Sequence, residues 1–193
     1  SSAQQVRVEV RVSKSGQAAA GKGDLTGKSS AVKPGAKGVK VVIDYAHNAA
    51  GLETLGDFVE RLTTDAPNGG RPGQASWSAN LRVAVVATAG DRRDEDMRQL
   101  GRIAARYFDD VIIREDRNPR GRRRGETAAL ILEGVREAIA SGARAGNAEI
   151  VVDEMDAARK ALDRSRPGDL VVLCVDHATE VYKELERRRS LAA

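Results

Sequence analysis

The chain has little of what several common protein classes are built from. A single cysteine (Cys174) and two histidines (His47, His177) in 193 residues exclude a disulfide framework and any zinc centre made mainly of Cys and His. Aromatic residues make up only 3%, so the core must come from Val, Ile, Leu and Ala, and base-stacking platforms are nearly excluded. Nucleic acid is therefore not an expected partner. No apolar run approaches the ~18 residues of a membrane span, and Ser1 to Val12 lacks the apolar stretch of a secretory signal. The expectation is a cytoplasmic protein with no membrane partner. Neither sign of charge dominates: 32 basic against 28 acidic residues leave a net charge of +4, so any attraction for anions is local. The densest excess is Arg114 to Arg124, with six arginines against two acids.

What is present fits one compact domain with a loose extension. Hydrophobic residues are 41% and charged residues 31%, the balance of a soluble globular chain. Residues 6–12 alternate with period two and read as a half-buried strand. Ser13 to Lys40 is rich in Gly, Ser, Ala and Lys without hydrophobic period and reads as a linker. The expected division is therefore 1–38, strand and linker, and 39–193, an α/β domain. Within the domain, Val39–Ile43, Leu81–Thr88, Asp110–Ile113, Ile150–Val152 and Leu170–Val175 are β-branched runs suited to strands buried on both faces.

Helical spacing appears between these runs: Met97, Leu100, Ile103, Ala104 and Tyr107, then Thr127, Leu130, Ile131, Gly134, Val135 and Ala138. Asp153 with Asp156 suits a helix start. Pro167-Gly168 suits a turn, and Val181, Tyr182 and Leu185 give a last helix its apolar face. Thr64 to Asn80 reads as a surface insertion. Alternating strand and helix predict a Rossmann-like, mostly parallel sheet with helices on both faces. Ligands bind such sheets beyond the carboxyl ends of the strands, so those ends carry the candidate residues.

The first end reads Asp44-Tyr45-Ala46-His47-Asn48. Asp44 suits a ribose hydroxyl or a metal-bound water, His47 a phosphate, and Asn48 a base edge. Equally, Asp44 and Asn48 serve as turn and cap residues and His47 as an ordinary loop histidine. The second end, Ala87-Thr88-Ala89-Gly90-Asp91-Arg92, combines small residues that admit a ligand with one acceptor and one fork of donors. Asp94, Glu95 and Asp96 are explained by the helix dipole alone. The third, Arg114-Glu115-Asp116-Arg117-Asn118-Pro119-Arg120 and on to Glu126, is a charged loop, either a solvated surface or a clamp for a carboxylate, a phosphate or a cationic substrate. At the last end, Asp176 reads as a helix cap. Gly16 to Gly23 spells a near-miss of a phosphate loop, but the residues after it cannot readily start a helix, which such a loop requires. It reads as linker.

Asp44-Tyr45-Ala46-His47-Asn48, with Gly51-Leu52 in the helix after it, resembles the motif opening the C-terminal domain of the Mur ligase family. Gly90-Asp91-Arg92-Arg93-Asp94-Glu95-Asp96 is similar to the stretch that ends the next strand there. Glu115-Asp116 with Arg120-Gly121-Arg122-Arg123-Arg124-Gly125-Glu126 resembles the following loop as found in the cyanophycin synthetases of that family. The resemblance covers about residues 39 to 190. It implies an ATP-dependent amide ligase, in which a carboxylate becomes an acyl phosphate and an amine, arginine in that branch, displaces the phosphate. Carried over, Asp44, His47, Asn48, Asp91 and Arg92 face the nucleotide, while Glu115, Asp116, Asn118 and Arg120 face the incoming amino acid or a polymer. A guanidinium suits planar carboxylates such as Glu115 and Asp116.

ATP and Mg2+ are expected to be held mainly by a central domain that this sequence does not contain, so that domain is the expected partner and these residues alone are not expected to turn over ATP. No residue of the chain is assigned as catalytic or as a metal ligand. The sequence departs from the family in lacking an upstream Gly-Arg setting, and Ala49 stands where proline is common. The alternative is a stand-alone or degenerate α/β binding module that grips a partner protein or an anionic polymer through Arg117, Arg120 and Arg122–Arg124.

Overall fold

The computed structural model describes residues 12–13, 38–63 and 79–191. In these, six strands and five helices alternate: β1 (Val12–Ser13), β2 (Lys40–Asp44), α1 (Ala49–Thr63), β3 (Arg82–Val86), α2 (Asp94–Tyr107), β4 (Asp110–Ile113), α3 (Glu126–Ala140), β5 (Asn147–Ile150), α4 (Glu154–Arg164), β6 (Leu170–Cys174) and α5 (Ala178–Leu191). The strands form one sheet in the order β1-β2-β6-β3-β4-β5, parallel at every pairing. The predicted Rossmann-like α/β fold is the observed one.

Strands β2, β3, β4 and β6 are buried on both faces because alternate residues serve two separate cores. Val42, Ala84, Val86, Val111, Ile113 and Val172 pack with Leu52, Leu100 and Ile131 beneath α1, α2 and α3. Val41, Ile43, Val83, Val85, Ile112 and Leu173 pack with Ala158, Leu162 and Leu185 beneath α4 and α5. The chain steps outward from β3 to β5, then returns to insert β6 between β2 and β3. With crossovers of one hand, that reversal of direction sends α4, which joins β5 to β6, to the opposite face, where α5 also packs.

Helices α2 and α3 touch backbone to backbone. A Cβ on Gly101 would stand 2.1 Å from the Ile131 carbonyl oxygen, and one on Gly134 would stand 1.9 Å from that of Arg98. The starts of α2 and α4 are acid-rich or capped where the dipole favours it: Asp94, Glu95 and Asp96 open α2, and Asp153 Oδ1 accepts from the Met155 and Asp156 amides at α4.

Three expectations need correction or placement. The fifth strand runs over Asn147–Ile150 rather than Ile150–Val152. It is the sheet edge, half exposed, and so lacks the apolar run that marks a central strand. Tyr182 is 44% exposed, leaving Val181 and Leu185 as the buried face of α5. Of the first predicted strand, only Val12 lies within the described residues, where Val12–Ser13 pairs with Ile43–Asp44. Most of the linker, the near-miss phosphate loop and residues 64–78 of the insertion lie outside them.

Candidate functional site

The carboxyl ends of β2, β3 and β4 do gather along one rim, and side chains tie their loops together. Thr88 Oγ1, after β3, donates to the His47 carbonyl oxygen, after β2, at 2.7 Å. Arg120, after β4, donates to Asp91 Oδ2, after β3, at 3.0 Å. Gly90 lies flat on the third loop: a Cβ there would stand 2.1 Å from the Pro119 carbonyl oxygen. Glycine is thus required for this approach, not for a special backbone angle.

In the set expected to face a nucleotide, Asp44 ends β2 with 4% of its surface exposed, in register with Cys174 on β6. Burial and the Asp44 charge push the Cys174 thiol up to about 12, which makes it an inert packing residue. His47 lies half-buried, its Nδ1 2.9 Å from the Tyr45 carbonyl oxygen and its ring 4.8 Å from that of Tyr45. Tyr45 itself is 55% exposed. Asn48 Oδ1 accepts from the Gly51 amide at 2.8 Å, so this side chain caps α1. Asp91 and Arg92 are exposed on the rim. The Arg120 guanidinium holds the Asp91 carboxyl below its ordinary range.

The third loop separates two adjacent acids. Glu115 is 3% exposed, and its carboxylate accepts from the Gly125 amide at 2.7 Å and the Ala128 amide at 3.0 Å. Expected to face an amino acid, it instead caps α3 from beneath, because its position continues the face of Val111 and Ile113 that packs against that helix. Asp116 stays nearer the surface: Oδ1 accepts from the Asn118 amide at 3.1 Å and Oδ2 lies 3.8 Å from Arg120. Asn118 Oδ1 in turn accepts from the Arg120 amide at 3.0 Å. This pair of side-chain turns holds Arg120 in a left-handed backbone conformation, φ +47, which only a minority of non-glycine residues adopt. Asp91, Asp116 and Arg120 are thus brought together; Glu115 is not among them.

Two arginine clusters escaped the sequence reading. Arg114, 3% exposed, donates to the Cys174 carbonyl oxygen at 3.1 Å and to Asp176 Oδ2 at 2.8 Å, and lies 3.1 Å from Glu154 Oε2. Glu154, equally buried, accepts from the Asp176 amide at 2.7 Å and lies 3.0 Å from His177 Nδ1. Asp176 is therefore an ion-pair partner rather than the helix cap it was expected to be. The second centres on Arg122, which donates to the Gly90 and Arg92 carbonyl oxygens at 2.7 and 3.0 Å. It also donates to Asp94 Oδ1 at 2.6 Å and Glu126 Oε1 at 2.9 Å. The alternation of strand faces foretold the first: Arg114 follows Ile112 onto the side of α4, where Glu154 waits.

Among the described residues no group of three or more His, Cys, Asp or Glu is placed to hold a metal ion, and no helix is long and apolar enough to cross a membrane.

These loops, on this sheet, define a domain class. The family described as "Mur ligase, glutamate ligase domain" matches residues 31–175, and the chain belongs to it. A second match, to the "Cytochrome c-type biogenesis protein H Ig-like domain", is confined to residues 1–44. Its last part falls on β2, here a parallel strand of the α/β sheet.

Among known proteins the chain is 38% identical to the cyanophycin synthetase of Crocosphaera subtropica, over 78% of its own length and 15% of that protein's. It is 36% identical to that of Synechocystis, with the same shares. It is also 33% identical to the UDP-N-acetylmuramoyl-L-alanyl-D-glutamate--2,6-diaminopimelate ligase of Syntrophomonas wolfei, over 69% of this chain and 23% of that one. A solved structure of a ligase of that same description superposes with a TM-score of 0.53 at 21% identity, covering 77% of this chain and 29% of that one. The chain thus spans about a seventh of the length of the cyanophycin synthetases it matches.

Proposed function

We propose that this domain is the C-terminal lobe of an ATP-dependent amide ligase of the cyanophycin synthetase kind, closing over ATP and positioning an incoming amino acid, arginine by similarity. The observation that carries the reading is the joining of three distant loops on one rim through Thr88–His47, Asp91–Arg120 and Gly90–Pro119. Asp44, His47, Asn48, Asp91 and Arg92 form its nucleotide side. Asp116, Asn118 and Arg120 form its amino-acid side, with Glu115 shaping the loop beneath them.

The donor set suits one wall of a nucleotide site: small residues at the end of β3 and exposed Arg92. ATP supplies the phosphoryl group that activates a carboxylate, and Mg2+ belongs with the residues of a central domain, the lobe's expected partner. This lobe's part is to bind, to orient and, on closing, to keep water from an acyl phosphate. Asp116, with its carboxylate at the rim, is the acid placed to meet a guanidinium.

The reading of a free module gripping an anionic polymer is weaker, because two of its cations are committed elsewhere. Arg122 is consumed as above, and Arg124 donates to the Asp116 and Val152 carbonyl oxygens. The test is Asp91→Asn and Asp116→Asn, made separately in the parent ligase, with Michaelis constants for ATP and arginine measured apart. Asp91→Asn is expected to raise that for ATP, and Asp116→Asn that for arginine, each several-fold. If neither constant moves in either variant, the rim does not face the substrates.

A further inference from the structure

We infer that Arg122 is a positioning residue that locks the loop after β3 and the loop after β4 into one body, so that the nucleotide side and the amino-acid side of the rim are set together. The inference rests on the functional reading above only for its consequence in catalysis; its structural half stands alone.

A guanidinium offers five N–H donors in a rigid planar fork, and here the fork is spread over two loops and the starts of two helices. Nε holds the Gly90 carbonyl oxygen and Nη2 the Arg92 carbonyl oxygen, so Arg122 grips the backbone on both sides of Asp91. Nη2 also reaches Asp94 at the start of α2, and Nη1 reaches Glu126 at the start of α3. The Arg122 side chain is only 19% exposed, so these charge-assisted bonds are partly shielded from water. Its own amide donates to the Pro119 carbonyl oxygen at 3.1 Å, the group against which Gly90 lies. One side chain therefore fixes the backbone that presents Asp91 and Arg92, while its own backbone closes the turn that presents Asn118 and Arg120.

Lysine cannot replace it. A single ammonium has the charge but not the span to reach two carbonyls and two carboxylates at once. The neighbouring Arg93 supplies a control: from the N-cap of α2 it pairs with Asp96 in the first turn at 2.8 Å and is 85% exposed, so it bridges no loops.

The first test needs only this chain. In hydrogen exchange, Arg122→Lys is expected to speed exchange about tenfold or more in both 89–94 and 118–126, leaving α1 and β6 unchanged. Loosening of one loop alone, or of neither, overturns the inference. The second is made in the parent ligase with ATP and arginine. Arg122→Lys is expected to raise both Michaelis constants together, several-fold each, with kcat changed less, whereas Arg93→Lys leaves all three unchanged. A fall in kcat with both constants unmoved would mean a general structural role and overturn the positioning role. Should Asp91→Asn and Asp116→Asn prove silent while the exchange result holds, the functional reading fails and the locked loops remain. If Arg122→Lys does not fold, Arg122→Gln and Glu126→Gln carry the same exchange test, each expected to loosen both segments.

Discussion

Glu115 and Asp116 are consecutive acids with opposite fates, and the contrast extends to everything around them. Glu115 and its neighbour Arg114 are each 3% exposed and face inward, one under α3, the other towards α4. Asp116 and its partner Arg120 keep 29% and 47% of their side chains exposed, beside Asp91 at 54%. The inner set replaces water with fixed partners, so each lost partner leaves a stranded charge or amide. The outer set keeps its solvation and can exchange a protein partner for a substrate at small cost. In a charged rim, burial rather than charge sorts scaffold from working surface.

The sharpest way to break that division is to attack its inner half. Arg114→Met removes the guanidinium between Glu154 and Asp176, leaving a buried carboxylate with the Asp176 and His177 amides and the His177 ring. Breaking one side of a buried ion pair costs about 3–5 kcal/mol. Urea unfolding of the chain is expected to show a loss of that size, with native exchange slowed nowhere. A loss under 1 kcal/mol would mean that Arg114 is no more structural than Arg120.

Glu115→Ala comes next. Two amides at the start of α3, those of Gly125 and Ala128, lose their acceptor, at a cost of about 2 kcal/mol. Glu115→Gln retains one accepting oxygen and should recover part of it in the same unfolding experiment. If instead Glu115→Ala unfolds like the wild type, this acid belongs with the outer set.

Glu184 sharpens the comparison from outside the rim. It is buried, 7% exposed, but it is answered by two close arginine side chains, Arg187 at 2.7 Å and Arg188 at 2.9 Å, where Glu115 has backbone amides and only the more distant Arg124 at 3.6 Å. The Arg187 hydrogen bond leads in lowering its carboxyl, which sits at about 2 against an ordinary 4.5. A group depressed on folding stabilises the fold above its unfolded value and loses that contribution as pH falls through its folded one. Glu184→Gln should therefore be less stable than wild type at pH 6, on the order of 1–2 kcal/mol after discounting the screening of exposed Arg187. The gap should close between pH 4.5 and about 2. A gap independent of pH would mean that packing rather than charge holds the residue.

Much of this arrangement was legible in the chain, and the failures have one cause. Runs such as Val83–Val86 and Leu170–Leu173 announce strands because both faces are covered. Edge strand β5, with Asn147 and Glu149 in it, does not, since one side of an edge meets solvent and tolerates polar residues. At the rim, residue type marked the acids and arginines but could not say which pointed inward. The period of two could have done so if carried past the end of β4. Ile112 belongs to the core under α4 and α5, and Ile113 to the core under α1 to α3. Arg114 and Glu115 continue those two faces in turn. Beyond Asp116 the side-chain turns at Asp116 and Asn118 end the alternation, and Arg122 returns to Gly90 across 32 positions. A contact of that separation leaves no local signal.

The smallest effect on stability is expected where the effect on function is largest. Asp91→Asn removes an exposed carboxylate whose side-chain hydrogen-bond partner is Arg120, itself exposed. Exposed pairs of this kind contribute little, and salt screens what they do contribute. The denaturation midpoint of Asp91→Asn should therefore coincide with wild type at physiological salt, and raising the salt should not separate them. Arg122 still grips the Gly90 and Arg92 carbonyl oxygens in this variant, so the loop should keep its shape, and exchange in 89–94 should match wild type. An unaltered fold with a raised Michaelis constant for ATP in the parent ligase would place Asp91 on the working side of the rim. A lowered midpoint would move it to the scaffold, and the boundary between the two sets would then lie outside Asp91 rather than between Glu115 and Asp116.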